Sequence, residues 1–278
     1  MLKNLLAHPL TLGLEIDDPR TTALRRQIMR EKEFLRQLYV EWYDKLRSEI
    51  PGGGGRCLEI GSGGGFFKEQ YSDLITSEVF AAPGIDLVVD ARRLPFAAGT
   101  LRSILMVDVL HHIPDVELFF AEVTRCLHPG GVLAMLEPWV SPWSRFVWQN
   151  LHHEPFEPEA EAWHLPKAGP LSGANSALPW IVFQRDKKIF EQQYPFLRIE
   201  AISIDYPFSY FASGGVSLRS LLPGCVYPLF RKIERSLAGL NGIIGCFAFI
   251  TLRKSTVNFA AEMVAGNVPG YEQHVDAP

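Results

Sequence analysis

Apolar positions at Leu24, Ile28, Leu35, Leu38, Trp42 and Leu46 recur at helical spacing, and Asp18-Pro19 just ahead of them supplies an acceptor side chain and an N-terminal proline. This pattern predicts one long amphipathic helix, ended by Pro51 and the glycine run 52–55. From Arg56 the period changes to short apolar runs at 57–60, 74–77, 87–89, 104–107 and 132–136, alternating with helical stretches. Such alternation predicts a parallel sheet with helices on both faces. Leu118, Val123 and Leu127 mark the crossover helix before the fifth run, stopped by His128-Pro129-Gly130-Gly131.

The stretch 139–179 breaks the rhythm, being rich in Pro, Trp and His with little periodicity, and it reads as an insertion over a functional site. Regular patterning resumes with a helix around 183–193, a strand at 198–205, a helix near 229–240 and a last strand at 246–252. The expected division is a helical cap at 1–50, a main domain at 56–254 containing the insertion, and a peripheral tail at 255–278.

Composition narrows the function. Forty-seven per cent hydrophobic residues over 278 positions is ample for a buried core, and a formal charge of -4 argues against broad electrostatic binding of nucleic acid. Four well-separated cysteines (Cys57, Cys126, Cys225, Cys246) form no disulfide framework and no Cys-x-x-Cys pair, so they read as reduced thiols. The early residues carry no export signal, and no apolar run is long enough to span a bilayer. The expected compartment is cytoplasmic.

Candidate chemistry starts at Glu59-Ile60-Gly61-Ser62-Gly63-Gly64-Gly65, a glycine loop that follows the first strand and opens the next connection. An open α/β sheet binds nucleotide-like ligands across that edge. A dinucleotide fingerprint would need glycine at 66, where Phe66 stands, so the spacing is E-x-G-x-G-x-G instead. This string resembles the first motif of class I S-adenosylmethionine-dependent methyltransferases. Asp90-Ala91 before Leu94-Pro95-Phe96, the run from Asp108 through His111, His112 and Asp115, and Leu127-His128-Pro129-Gly130-Gly131 follow in the order of the small-molecule branch that includes ubiquinone and menaquinone biosynthesis enzymes (methyltransferase type 11).

The resemblance implies a Rossmann-like class I methyltransferase fold: a mostly parallel seven-stranded sheet, helices on both faces, an N-terminal helical extension and an insertion after the fifth strand. It implies S-adenosylmethionine as methyl donor, S-adenosylhomocysteine as product and no metal. Gly61, Ser62, Gly63 and Gly65 would lie against the methionine part, and Glu59 near its amino group. Asp90 and Ala91 would sit by the adenine, and Asp108 would face the cleft. For the ribose hydroxyls two carboxylates compete. Glu78 stands 17 residues after Gly61, while Asp86 ends a second plausible strand register. Choosing Glu78 requires an abbreviated crossover between the second and third strands.

Catalytic candidates are histidines. His111 and His112 follow the fourth strand, either shaping or deprotonating an acceptor or simply packing as part of the motif. His152 and His153 precede Glu154 in the insertion, where they offer a base with an orienting carboxylate; adjacent residues point apart, and no partner with metal-ligand spacing is visible. The aromatic residues of the insertion, Trp139, Trp143, Phe146, Trp148, Phe156 and Trp163, either line the cleft or pack the insertion on the core, and Tyr206, Phe208, Tyr210 and Phe211 offer a second wall.

The expected substrate is a small molecule methylated on oxygen, a metabolite or a glycan- or lipid-linked intermediate. Carbon or nitrogen methylation and a non-catalytic cofactor-binding regulator are the alternatives. Arg219, Arg231, Lys232 and Arg235 among the apolar residues of 218–240 leave peripheral lipid contact open, with a solvated basic face as the plainer reading. Nothing in the sequence sets the oligomeric state.

Overall fold

A computed structural model describes residues 8–11, 20–152, 154–165, 169 and 173–256. Its centre is a seven-stranded sheet made of β1 (Arg56–Ile60), β2 (Leu74–Glu78), β3 (Leu87–Val88), β4 (Leu101–Val107), β5 (Leu127–Pro138), β6 (Leu197–Asp205) and β7 (Phe247–Lys254). The spatial order is β3-β2-β1-β4-β5-β7-β6. Pairings among β1 to β5 are parallel, whereas β7 runs antiparallel to both β5 and β6.

Period-two alternation decides which residues face which layer. Leu58, Ile104, Met106, Leu133, Met135, Ala248 and Ile250 point to one face. There they meet α4 (Val116–Cys126), whose Val116, Phe119, Phe120 and Val123 are buried, and α6 (Lys187–Gln193), which buries Phe190. On the opposite face, Cys57, Leu105, Ala134, Leu136, Phe247 and Phe249 meet Phe34, Leu35, Leu38, Trp42 and Leu46. Both faces of the sheet are therefore dry, which explains why its strands read as unbroken apolar runs.

The N-terminal segment forms two helices rather than one. α1 (Arg20–Glu31) and α2 (Glu33–Ser48) meet at Lys32, which leaves the helical region at φ -88°, ψ 88°, and the short α3 (Phe67–Gln70) follows the glycine loop after β1. The buried Lys32 ammonium turns inward and donates to the carbonyls of Gly215 and Leu218. Burial lowers its pKa to about 8. The Asp18-Pro19 start lies outside the described residues.

Other departures are local. α4 stops at Cys126, and β5 begins at once, running through Pro129-Gly130-Gly131 where a loop was expected. Residues 139–179 contain α5 (Pro142–Asn150), which sequence periodicity missed. A capping box starts it: Ser144 N–H donates to the Ser141 side chain and Ser141 N–H to the Ser144 side chain. The helix expected at 183–193 divides at Asp186 into a wide turn, Ile181–Arg185, and α6.

Arg231 is also not part of a solvated basic face. It lies on α7 (Tyr227–Ser236) with its side chain 2% exposed, and its guanidinium bridges Glu41 of α2 at 2.8 Å, Asp205 of β6 at 2.9 Å and Glu234 of its own helix. Among the described residues no helix is long and apolar enough to cross a membrane.

Candidate active site

The strand order reverses between β1 and β4, and a ligand cleft is expected outside the carboxyl ends of strands at such a point. A cleft of ≈ 420 Å³ opens there. Glu59, Glu78 and Asp108 come to it from the ends of β1, β2 and β4, and Asp90 and Ala91 from the turn after β3. The glycine loop forms its floor.

Gly63 holds φ +49° and has its open side toward the cleft, where a side chain would intrude beside the Glu78 carboxylate at 3.8 Å. Gly64 faces the other way. A Cβ there would lie 2.5 Å from the backbone N of Arg26, so α1 rests directly on the loop. The adjoining Ser62 is tied to β2, its N–H donating to Ser77 O and its hydroxyl accepting from Ser77 N–H. The N-terminal helices are thus a wall of the cleft, contributing Arg25, Met29, Tyr39 and Tyr43.

Two buried acids stand beside this loop. Burial pushes the Glu59 carboxyl up to about 7, with Ser62 opposing as a hydrogen-bond donor and the Glu78 charge adding to the rise. Glu78 is raised for the same first reason, with donation from Val79 and Gly63 N–H opposing. Asp86 lies elsewhere. It accepts from Lys68 Nζ and from the N–H and hydroxyl of Thr76, and it is absent from the cleft wall. The connection between β2 and β3 holds no helix. Asp90 reaches the cleft, but its carboxylate also caps its own turn through Arg92 N–H and pairs with the Arg92 guanidinium at 2.7 Å.

At the other side of the cleft, Asp108 follows β4 with φ +62°, a strained backbone for a residue with a side chain. Burial, with Glu154 and Glu137 adding and His111 opposing, pushes its carboxyl up to about 7. The next turn carries the two histidines. His111 is fully buried, its Nδ1 2.8 Å from Glu137 Oε2, while Glu137 also accepts from the N–H groups of Val109 and Leu110. Burial disfavours the charged imidazole, yet Glu137, Glu154 and Asp108 together raise its pKa well above the ordinary value.

His112 lines the cleft, with Nδ1 3.1 Å from Gly173 O; burial and the neighbouring His111 lower it to about 4. His152 and Glu154 arrive from beyond α5. Glu154 approaches His111 Nε2 at 3.4 Å, His112 Nε2 at 3.6 Å and His152 Nδ1 at 3.7 Å. Burial opposes its charge, but the three imidazoles outweigh it and lower the Glu154 pKa.

The structure therefore brings together every sequence-predicted site residue it describes: Glu59, Gly61, Ser62, Gly63, Gly65, Glu78, Asp90, Ala91, Asp108, His112 and His152 in the cleft wall, with His111 directly behind. His153 lies outside the described residues. Sequence reasoning missed Glu137, Arg25, Tyr39 and Tyr43. Glu137 left a trace, a charge at the end of an otherwise apolar strand, whereas the others look like ordinary residues of an amphipathic helix. The insertion's tryptophans do not line the cleft: Trp139, Trp148 and Trp163 are buried in the core. Tyr210 does line it, but Tyr206, Phe208 and Phe211 do not.

The family model described as a methyltransferase domain matches residues 58–135, the segment that runs from β1 through the glycine loop to β5. A ubiquinone biosynthesis O-methyltransferase of Rhizobium etli is 30% identical over 105 residues, 31% of this chain and 42% of the relative. A ubiquinone/menaquinone biosynthesis C-methyltransferase of Desulfotalea psychrophila is 35% identical over 77 residues, 27% of this chain and 30% of the relative. The alignments span less than half the length of these curated relatives. Among solved structures, a chain in the complex of the Haloferax volcanii Trm112 methyltransferase activator with the putative methyltransferase superposes with a TM-score of 0.50 at 12% identity, over 88% of this chain and 99% of that one. That likeness concerns the fold: a Rossmann-like class I methyltransferase sheet, mostly parallel, with helices on both faces.

Proposed function

We propose that this chain, whose residues 58–135 form a methyltransferase domain of the type found in small-molecule methyltransferases, transfers a methyl group from S-adenosylmethionine to an oxygen of a small acceptor. The acceptor we infer is a metabolite or a glycan- or lipid-linked intermediate. One observation carries the reading: a single cleft at the sheet's reversal point has buried carboxylates and a glycine floor at one end and a histidine–carboxylate cluster at the other.

The residues present suit this donor. Gly63 leaves a cradle that a side chain would fill, and the buried Glu59 and Glu78 offer acceptors where a cationic amine and vicinal hydroxyls need them. We assign Glu59 to the amino group, Glu78 to the ribose, Asp90 and Ala91 to the adenine side, and Gly61, Ser62, Gly63 and Gly65 to the methionine part. The donor supplies an electrophilic sulfonium methyl and leaves as S-adenosylhomocysteine. For their part the protein residues hold the reactants at attack distance, a large share of the acceleration in such displacements.

Oxygen is favoured over carbon or nitrogen by the cluster of His112, His152 and Glu154 in the cleft wall, because a hydroxyl must shed its proton as it attacks and an imidazole–carboxylate set is suited to take it. Residues 139–179 are read as the acceptor-facing insertion, supported by the reach of His152, Glu154 and Gly169 into the cleft. A lipid-linked acceptor gains support from Leu229 and Ile233, which α7 turns outward at 63% and 55% exposure. The four free cysteines support a reducing, cytoplasmic setting.

The test is calorimetric titration of the purified chain with S-adenosylmethionine, then incubation of labelled donor with cell extract and identification of the labelled product. Absence of binding sinks the reading. Binding without transfer to any acceptor favours a cofactor-binding regulator, and label on carbon or nitrogen overturns the oxygen assignment.

A further inference from the structure

We propose that His111, His112 and Glu154, with His152 beside them, form a binding site for one divalent cation of the zinc class at the acceptor end of the cleft. One ligand atom each from His111, His112 and Glu154 lies within 4.8 Å of the others. Glu154 oxygens stand 3.4 Å from His111 Nε2 and 3.6 Å from His112 Nε2, with His152 Nδ1 at 3.7 Å. Tetrahedral zinc with bonds near 2.0–2.2 Å sets neighbouring ligand atoms about 3.4 Å apart. Small rotations of these side chains would close on an ion.

Two further observations point to a cation rather than to a histidine pair packed for structure. First, His111 Nε2 is fully buried and makes no hydrogen bond of normal geometry, and the Glu154 carboxylate stands 3.4 Å from it. An ion between the two would coordinate both, drawing the imidazole nitrogen and the carboxylate to one centre. Second, both histidines already carry the outer contacts that metal ligands have. His111 Nδ1 is held by the carboxylate of Glu137, itself pinned by two backbone N–H groups, and His112 Nδ1 by the carbonyl of Gly173. Such partners fix the tautomer and leave Nε2 as the coordinating atom. Asp108, Glu137 and Glu154 also gather three carboxyl groups around one buried imidazole, at 3.9, 2.8 and 3.4 Å from its ring nitrogens.

The ligand set selects the ion. Imidazole nitrogens with one carboxylate suit zinc and its borderline neighbours, whereas magnesium prefers an all-oxygen shell and keeps its waters. His112, His152 and Glu154 line the cleft while His111 closes the back, so the remaining coordination position opens toward the acceptor. A hydroxyl bound there would lose its proton to solvent more readily, because the ion lowers the pKa of a coordinated oxygen, and the ion would then take over the role that the imidazole–carboxylate set has in the metal-free cleft. That role rests on the methyl-transfer reading; the binding of the ion does not. The sequence concealed the site because its ligands come from two segments about 40 residues apart, with no local spacing to betray them.

The full chain, stripped with chelator and dialysed, is titrated with zinc, cobalt and magnesium salts, following heat, thermal stability and, for cobalt, visible absorption. We expect one zinc per chain, intense cobalt bands of a low-symmetry four- or five-coordinate site, and no competing magnesium. His112→Ala and Glu154→Gln each weaken zinc binding at least tenfold, and Glu137→Gln does so about 10- to 100-fold. Because Glu137 is buried, retention of S-adenosylhomocysteine binding and of the thermal midpoint identifies folded variants, and the two cleft-lining substitutions carry the test if Glu137→Gln fails to fold. Sub-stoichiometric zinc uptake, magnesium binding in its place, or unchanged affinity in both cleft variants overturns the proposal. S-adenosylmethionine binding with no metal uptake overturns it while sparing the methyl-transfer reading, and metal uptake with no S-adenosylmethionine binding does the reverse.

Discussion

Glu59 offers the sharpest test of how the cleft prepares itself for a ligand, and the perturbation is Glu59→Gln. The carboxyl stands one residue before the end of β1 at 3% exposure, and burial lifts it from an ordinary 4.5 to about 7. Between these values the folded chain holds a proton that the unfolded chain has lost. Stability therefore falls as pH rises from 4.5 to 7, and the charged form costs about 3 kcal/mol once pH exceeds 7. A ligand with a cationic amine would recover that cost, so parent affinity for S-adenosylhomocysteine should climb as pH rises from 6 to 7.5. Glutamine keeps the shape and has nothing to ionise. The ligand-free variant should then lose less stability than the parent between pH 5 and 8, by about 6 °C in thermal midpoint for a chain of this size. Its affinity should be weak and nearly flat over pH 6 to 7.5. Differential scanning fluorimetry and calorimetric titration read both quantities. Identical slopes of midpoint against pH in parent and variant, or parent-like affinity of the variant at pH 7.5, would rule out a buried Glu59 that ionises to meet its ligand.

Three other substitutions probe separate parts of the structure. Glu78→Ala should lower S-adenosylmethionine affinity about 10- to 100-fold, the loss of charge-assisted hydrogen bonds, whereas Asp86→Ala should leave affinity unchanged and lower the thermal midpoint through Lys68 and Thr76; calorimetry with a melting curve separates them. Gly64→Ala places a methyl 2.5 Å from Arg26 N, so α1 should lift from the loop, seen as faster limited proteolysis of the N-terminal helices together with weaker ligand binding. Arg231→Met strands Glu41, Asp205 and Glu234 and should cost about 3–5 kcal/mol in denaturant unfolding. Burial opposes the charge on Glu41, but Arg231 and its other donors hold it down at about 2, so the stability this carboxylate contributes is present above pH 4.5 and lost as pH falls toward 2. The variant should lose that acid limb.

What could be read from the sequence follows from where each interaction closes. Strands β1, β4 and β5 stood out because both sides of each are buried, leaving runs such as Ile104-Leu105-Met106 with no polar interruption. The glycine loop, Glu59 and Glu78 were legible for a related reason: their positions follow from chain distance to a strand end, a local property. The break at Lys32 was not, because a lysine in a helix looks ordinary until its ammonium meets carbonyls 183 and 186 residues away. Trp148 and Trp163 stayed open between two readings until the structure buried them, since an aromatic residue in an irregular stretch carries no mark of whether it faces a cleft or the core. The same logic divides the cleft itself. Its donor end is assembled from consecutive strand ends and so leaves an ordered trace along the chain. Its acceptor end joins His111 to Glu137 across 26 residues and both histidines to Glu154 beyond α5, contacts that only packing creates. The choice of acceptor should therefore respond to substitutions at Tyr210, His152 and Glu154 far more than to any in the glycine loop.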